Sequence, residues 1–332
     1  MFSSGLNKGL RALPFIKARL TKTPAPLNVA LHVTYRCNAS CTYCDRHVEA
    51  AGRDRLEEVR KKELSCEELR RVARELVEMG ARGFLLDGGE PLIRPELVVL
   101  LEELSGWGVE TRMNTNGFLL PERSGWLAHL DKVKVSIDGP KEVHDRFRGR
   151  GAFEKAMRGV ETARDEGVCV ELTCVISSAN VDRLADVLDI GDRYGARVFF
   201  QPARGSLFVG KKKGEEEYFA EKDRLRRSLE WLLSEVGNPA LGNTKASVRH
   251  FFAFPGPAPM PCSAGWVSCA IDPYGRMTAC PMLPARRDDP NVFECTVREG
   301  FERLRRVSCK QCWCARQVEM NLAWAGKVRQ FL

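Results

Sequence analysis

Cys37, Cys41 and Cys44 are spaced C-x3-C-x2-C. Thiolates are soft ligands that suit iron–sulfur clusters or zinc. Three of them can hold three corners of a cubane and leave the fourth iron without a protein ligand. An open coordination position is what a catalytic metal site needs. A three-thiolate zinc site or buried free thiols are the structural alternatives. A second group occupies the tail: Cys262, Cys269, Cys280, Cys295, Cys309, Cys312 and Cys314. Cys262 and Cys280 flank Asp272-Pro273-Tyr274-Gly275-Arg276-Met277, which reads as a hairpin turn between short strands. Cys309 and Cys312 form a C-x2-C pair, and two pairs give enough thiolates to close a cluster or a zinc site. Cys66, Cys169 and Cys174 lie between the groups and read as plain thiols.

Other residues suit a ligand. In Asp87-Gly88-Gly89-Glu90-Pro91 the paired glycines would let backbone approach a ligand closely, and Glu90 could receive an ammonium group. Asn116, in Asn114-Thr115-Asn116-Gly117, and Ser136 and Asp138, in Ser136-Ile137-Asp138-Gly139, sit where strands should end. A ribose or carboxylate could be held there. Arg146 and Arg148 are either ligand cations or surface charge. The same two readings apply to Arg204, which could hold an anionic group. No side chain identifies itself as a substrate base.

The elements that must position these residues follow from periodicity. Strand-like runs fall at 29–34, 83–86, 109–114, 133–137, 168–175 and 197–201, and helix-like stretches at 64–79, 96–107, 122–130, 153–166 and 181–194. Pro95, Pro121 and Asn180 mark helix starts, and Gly80, Gly108, Gly167 and Gly195 mark stops. Strands alternating with helices imply right-handed βα units and a parallel sheet, either open or curled into a partial barrel. The C-x3-C-x2-C loop follows the first strand directly, at the end where α/β active sites collect. Ahead of it, Phe2, Leu6, Leu10 and Leu13 recur at helical spacing among Lys8, Arg11, Lys17 and Arg19, with Pro14, Pro24 and Pro26 interrupting. This extension reads as a helix capping the main domain in preference to a membrane-surface anchor. Lys211–Lys213 and Glu215–Glu217 form a solvated charge block, and a helix follows at 224–233. Pro255, Pro257, Pro259 and Pro261 stiffen the approach to the Cys-rich tail.

Composition bounds the function. The 332 residues include 13 Cys, and an odd number cannot form a fully paired disulfide framework. The N-terminus shows no secretory signal, so a reducing cytoplasm is expected, where clustered Cys means metal. With 44% hydrophobic and 29% charged residues the chain is a globular protein. No run approaches the roughly 18 apolar residues of a membrane span. A net charge of +8 suits an anionic partner without demanding nucleic acid.

Taken together, C-x3-C-x2-C after the first strand, an aromatic at Tyr43, Gly88-Gly89-Glu90-Pro91 after the second, and Ser136 to Arg148 after the fourth resemble the radical S-adenosylmethionine (SAM) superfamily over 28–201. The resemblance implies a partial (β/α)6 TIM-like barrel. It implies a [4Fe–4S] cluster on Cys37, Cys41 and Cys44, with SAM on its open iron and contacts from Tyr43, Gly88, Gly89, Glu90, Asn116, Ser136, Asp138 and Arg148. The implied chemistry is reductive cleavage of SAM to a 5′-deoxyadenosyl radical that abstracts a substrate hydrogen. A reductant such as a flavodoxin or ferredoxin is implied too. The tail resembles the SPASM and twitch extensions of the same superfamily. Cys262 and Cys280 as CX17C, with Cys309 and Cys312, look like a twitch-type auxiliary [4Fe–4S] site. With four Cys ligands it would accept an electron from the substrate radical. The full form continues as CX5C, and Val318 stands at that position, so the continuation fails. Cys269, Cys295 and Cys314 remain for a second auxiliary cluster, and zinc in the tail is the alternative.

The expected organisation is an extension at 1–27, a core at 28–204, a connecting segment at 205–254 and an auxiliary-cluster domain with a C-terminal helix at 255–332. The expected function is oxidation, cross-linking or maturation of a peptide or small molecule. With 27 residues before Asn28, no self-contained leader-binding module of about 80 residues is expected, and a peptide modifier would use a separate partner. An RNA-modifying enzyme is a weaker alternative, because the basic residues are scattered among 44 acidic ones. A non-catalytic electron carrier would leave Glu90, Ser136 and Arg148 without a purpose.

Overall fold

The computed structural model describes residues 4–44, 63–203, 218–283, 286–304, 309 and 311–326, with side chains in the first helix from Leu13 onward. Six parallel strands follow the chain in order: β1 Asn28–Thr34, β2 Gly83–Gly88, β3 Glu110–Thr115, β4 Lys132–Ser136, β5 Cys169–Ile176 and β6 Arg197–Pro202. They are the core of an α/β, TIM-like partial barrel. The helices on its outer face are α2 Cys66–Glu78, α3 Leu97–Gly106, α5 Ala152–Asp165 and α6 Leu184–Tyr194, after α1 Ser4–Thr21, while α4 Lys141–Arg148 lies against the loop that follows β1, with Phe147 O accepting from Thr42 N at 2.9 Å. Beyond β6 come α7 Lys222–Ser234 and α8 Lys245–Phe251. The tail supplies β7 Ser268–Ile271, β8 Met277–Thr278, α9 Val297–Glu302 and α10 Ala315–Trp324.

Alternation along the strands separates two faces. Phe84, Leu86, Val133, Val135, Leu172, Cys174, Val198 and Phe200 are fully buried, and they share one core with Leu76 of α2, Leu100 of α3 and Val160 of α5. Residues in the other register, among them Arg112, Asn114, Lys134 and Glu171, point to the concave side. The tail completes this sheet. β7 pairs in parallel with β1, Val29 opposite Cys269, and β8 turns back antiparallel around the 272–276 hairpin. α10 spans the seam that a closed barrel would join: the Ala315 N–H donates to Gln201 Oε1 on β6 at 3.0 Å, and Asn28 Nδ2 on β1 meets Met320 Sδ at 3.6 Å.

Three expectations are corrected. Residues 121–129 form a 3-10 run, not an α-helix. The helix expected from 181 starts at Leu184. Pro14 does not break α1, which runs through it. Tertiary packing outweighs the lost hydrogen bond: Ala18 is buried with Leu27 and Val267, and Phe15, Trp266 and Trp324 pack around them. Leu13, Ile16 and Leu20 of the same helix are exposed. Among the described residues no helix is long and apolar enough to cross a membrane. The charge block at 211–217 lies outside the described residues.

Candidate functional site

The loop carrying Cys37, Cys41 and Cys44 leaves the C-terminal end of β1, and neighbouring strands fix its backbone. The buried Glu63 carboxylate accepts from Thr34 Oγ1 (2.7 Å), Tyr35 N (3.2 Å) and Arg36 Nε (3.4 Å). The buried Arg94 donates from Nη1 to the carbonyls of Val33 (2.7 Å) and Leu64 (2.9 Å). The end of β2 lies directly on the loop, with Gly89 N donating to Thr34 O at 2.7 Å and Glu90 N to Arg36 O at 2.9 Å. A Cβ on Gly88 would fall 2.1 Å from Thr34 O, and one on Gly89 2.1 Å from Arg36 O. The paired glycines therefore serve a close approach to the loop's own backbone.

Glu90 is fully buried. It accepts from Thr115 Oγ1 (2.8 Å), Asn116 N (2.8 Å) and Leu92 N (3.2 Å). These donors are neutral, and burial outweighs them, pushing the carboxyl up to about 7. A buried carboxylate in this state favours an incoming ammonium group, which fits the amino end of SAM. Asn116 at the end of β3 also donates from Nδ2 to Asn38 Oδ1 at 2.7 Å, tying β3 to the loop.

On the other side of the loop, Asp138 is buried and fully engaged. Its Oδ2 accepts from Tyr43 OH (2.5 Å) and Arg148 Nε (2.6 Å), and its Oδ1 from Val175 N (3.0 Å). Arg148 Nη2 also donates to Tyr43 OH at 2.5 Å. Burial opposes the Asp138 charge, but the Arg148 guanidinium and the hydrogen bonds hold its carboxyl below the usual range. Tyr43, Asp138 and Arg148 thus fasten the loop to β4 and β5 through their side chains. Ser136 ends β4, half-buried opposite Thr173.

The three thiols share this space. Burial pushes Cys37 up to about 12, with Glu90, Cys41 and Cys44 adding to the effect. Burial raises Cys41 too, offset in part by Arg148. Crowded, buried thiols resist ionisation, and a bound cation reverses that preference. The donor set therefore fits an iron–sulfur cluster. Among the described residues no Cys, His, Asp or Glu side chains converge in threes tightly enough for one metal ion. A cubane asks less, because each thiolate meets its own iron.

The tail thiols collect at the opposite end of the sheet. Cys262 precedes β7, which runs parallel to β1, and Cys280 follows β8, which returns toward the same end. Burial pushes Cys280 up to about 12, with Cys262, Cys314 and Cys309 adding to it, and Cys262 likewise acts on Cys309 after burial. Cys312 Sγ accepts from Asn321 Nδ2 at 3.8 Å, and Asn321 Oδ1 accepts from Ser263 N at 2.9 Å, next to Cys262, while the Cys312 carbonyl meets His250 Nε2 at 2.8 Å. The structure does not gather Cys269, Cys295 and Cys314 into a second site. Cys269 is in the β7 core, raised by burial alone, and Cys295 Sγ contacts Asn291 O at 3.4 Å. Cys314 instead joins Cys262, Cys280 and Cys309. Strands of this length separate the two thiol groups by roughly 20 Å.

Sequence reasoning missed Glu63, Arg94 and Asn180, whose Nδ2 donates to Asp138 O at 2.6 Å. No spacing announces them, because each acts across the fold. Arg204, the candidate anion ligand after β6, lies outside the described residues.

Comparison with known proteins adds to this geometry. The sequence matches the family model described as Radical SAM superfamily over residues 31–189. It is 30% identical over 267 residues to mycofactocin maturase MftC of Mycolicibacterium smegmatis, covering 77% of this chain and 64% of that protein, so less than two thirds of the relative's length. It is 30% identical over 264 residues to the protein of the same name from Mycobacterium ulcerans, covering 77% of this chain and 69% of that protein. Streptococcus suis SuiB bound to precursor peptide SuiA has a similar fold, with a TM-score of 0.65 at 16% identity over 91% of this chain and 71% of that one.

Proposed function

Because the chain belongs to the radical SAM superfamily, we propose that it cleaves SAM reductively at Cys37, Cys41 and Cys44 and oxidises a substrate held in the concave face of the barrel. The observation that supports this reading most is the meeting of Glu90, the three thiols and the Tyr43–Asp138–Arg148 network at one end of the strands. When bound, the cluster and SAM supply a 5′-deoxyadenosyl radical that abstracts a substrate hydrogen. Everything else is the work of this chain. Glu90 receives the amino group of SAM. Asn116 and Ser136 line the strand ends where the nucleoside would lie. Asp138 and Arg148 keep Tyr43, and with it the loop, in one orientation, and the barrel wall limits water. The tail thiols Cys262, Cys280 and Cys309, with Cys312 or Cys314, would hold an auxiliary cluster, which would supply an electron acceptor for the oxidation.

The substrate class we favour is a peptide. MftC is by its name a maturase, and SuiB was seen with a precursor peptide. The experiment is anaerobic reconstitution with iron and sulfide, then dithionite and SAM. Formation of 5′-deoxyadenosine is expected, with deuterium entering it from a labelled precursor peptide. Absence of 5′-deoxyadenosine from the reconstituted protein would overturn the reading, and label entering only from a non-peptide substrate would overturn the peptide assignment.

A further inference from the structure

We propose that the barrel lumen between the two thiol groups is an oxyanion site, in which Arg316, Arg112 and Lys134 hold a carboxylate or phosphate of the substrate. The proposal rests on the reading that substrate occupies this lumen. Strand register sets Arg112 beside Lys132, Asn114 beside Lys134, Lys134 beside Glu171 and Glu171 beside Arg197, all on the concave face. Glu110 pairs with Lys132 (3.1 Å) and Arg112 (3.4 Å). Glu171 pairs with Lys134 (2.9 Å) and Arg197 (3.1 Å). Two carboxylates thus already serve four cations. α10 adds a fifth, Arg316: this helix meets Asn28 through Met320 Sδ at 3.6 Å, and Arg112 Nη2 donates to Asn28 Oδ1 at 3.0 Å. Asp87, also on this face, stands 3.9 Å from His32.

Hydrogen bonding shows the same imbalance. Arg316 Nη1, Arg112 Nε and Asn114 Oδ1 are buried and have no hydrogen-bond partner. Buried polar atoms are normally satisfied, and a buried cation without a full set of acceptors is costly. Arg316 is also in the first turn of α10, where the helix dipole disfavours a cation. Packing alone would be better served by an apolar side chain at this position. An oxyanion between α10 and β3–β4 would give both orphaned guanidinium nitrogens an acceptor and balance the excess charge. A donor beside it on the substrate, such as an amide N–H, would satisfy Asn114 Oδ1.

The experiment uses the full, cluster-reconstituted chain without SAM and follows its thermal midpoint at constant ionic strength. Sodium acetate and inorganic phosphate are titrated as separate arms against chloride, with acetamide as the neutral control. A saturable rise in the midpoint with acetate or phosphate, and none with acetamide, is expected, and the stronger arm identifies the anion class. Arg316→Gln should abolish the rise while leaving the anion-free midpoint unchanged or higher, an outcome that a purely structural arginine would not give. Should that variant fail to fold, Arg316→Lys keeps the charge without the planar fork, and its anion affinity should fall at least tenfold. No saturable response in the wild type, a response undiminished in Arg316→Gln, or equal affinity in Arg316→Lys would overturn the proposal. Failure of SAM cleavage would leave the anion response intact, so the two readings can fail separately.

Discussion

The two thiol-bearing ends of the barrel are built in different ways. At the C-terminal end of the strands, three cysteines arrive on one short loop, and five strands reach it. Glu63 and Arg94 grip the exit of β1, the end of β2 lies on it, Asn116 of β3 bonds Asn38, and Asp138 joins Tyr43 to β4 and β5. At the other end the thiols come from separate segments between Cys262 and Cys314, held by contacts between those segments such as Ser263 N to Asn321 Oδ1 at 2.9 Å and His250 Nε2 to Cys312 O at 2.8 Å. The first end is shaped by protein contacts before any metal binds. The second gathers its thiols from several segments, so a metal bound there would couple its folding to metal binding.

The largest effect that could break this contrast is loss of a ligand at each end. Cys41→Ser should remove about four irons per chain and lower 5′-deoxyadenosine formation at least a thousandfold, while the thermal midpoint changes little. Cys280→Ser should also remove about four irons, yet leave SAM cleavage measurable. Its cost should appear in stability, with the tail becoming sensitive to limited proteolysis and several kcal/mol lost. Equal destabilisation by the two variants would erase the distinction. Iron analysis, thermal unfolding and chromatography of the nucleoside read all of these quantities.

Glycine substitutions probe the contrast next. In Gly89→Ala the new Cβ meets the Arg36 carbonyl at 2.1 Å, backbone against backbone, so the loop or β2 must move. A loss of about 3 kcal/mol, with poor cluster incorporation at the loop, is expected. Gly275, in the tail hairpin, has φ +82° and would meet only side-chain atoms of Asn291 and Val292 at 2.9 Å. Gly275→Ala should cost about 1–2 kcal/mol from the backbone conformation and leave the loop cluster unaffected. Denaturant midpoints for the two variants give the comparison.

The same contrast explains what was legible in the sequence. Cys37, Cys41 and Cys44 lie on one loop, and Glu90, Asn116, Ser136 and Asp138 each end or follow a strand, so local spacing announces them and the βα alternation orders them. The tail was less legible because its geometry is set at long range. Nothing local says that β7 pairs with β1, that Cys269 therefore falls in the core, or that Cys314 comes within electrostatic reach of Cys280. The packing role of Gly88 and Gly89 was hidden for a similar reason: the backbone they approach belongs to another segment, the loop after β1. Pro14 shows tertiary burial overriding a local breaker.

The smallest expected effects come from one kind of substitution, carboxylate to amide, made once in the barrel and once in the tail. Glu90 stands at about 7 and Asp272, in the tail hairpin, at about 6, each raised chiefly by burial. A carboxyl whose pKa is higher in the folded state binds its proton more tightly there. Its contribution is therefore fully present below the unfolded value, near 4, and fades as pH rises through the folded one. Asp272 accepts from Tyr274 N at 2.9 Å and Arg276 N at 2.8 Å, and an asparagine Oδ1 can accept both. Asp272→Asn should thus be more stable than wild type by about 1–2 kcal/mol at pH 8 and show no such gain at pH 4. Glu90→Gln should show a similar gain without ligand, but it gives up the charge that receives the SAM ammonium, weakening SAM binding by about 10–100-fold. Calorimetric SAM binding and unfolding at pH 4, 6 and 8 separate the two. The 272–276 hairpin reaches the loop end of the sheet, where Tyr274 meets Tyr35 edge-on at 5.8 Å, so if Asp272→Asn weakened SAM binding as much as Glu90→Gln, this part of the tail would belong to the SAM site.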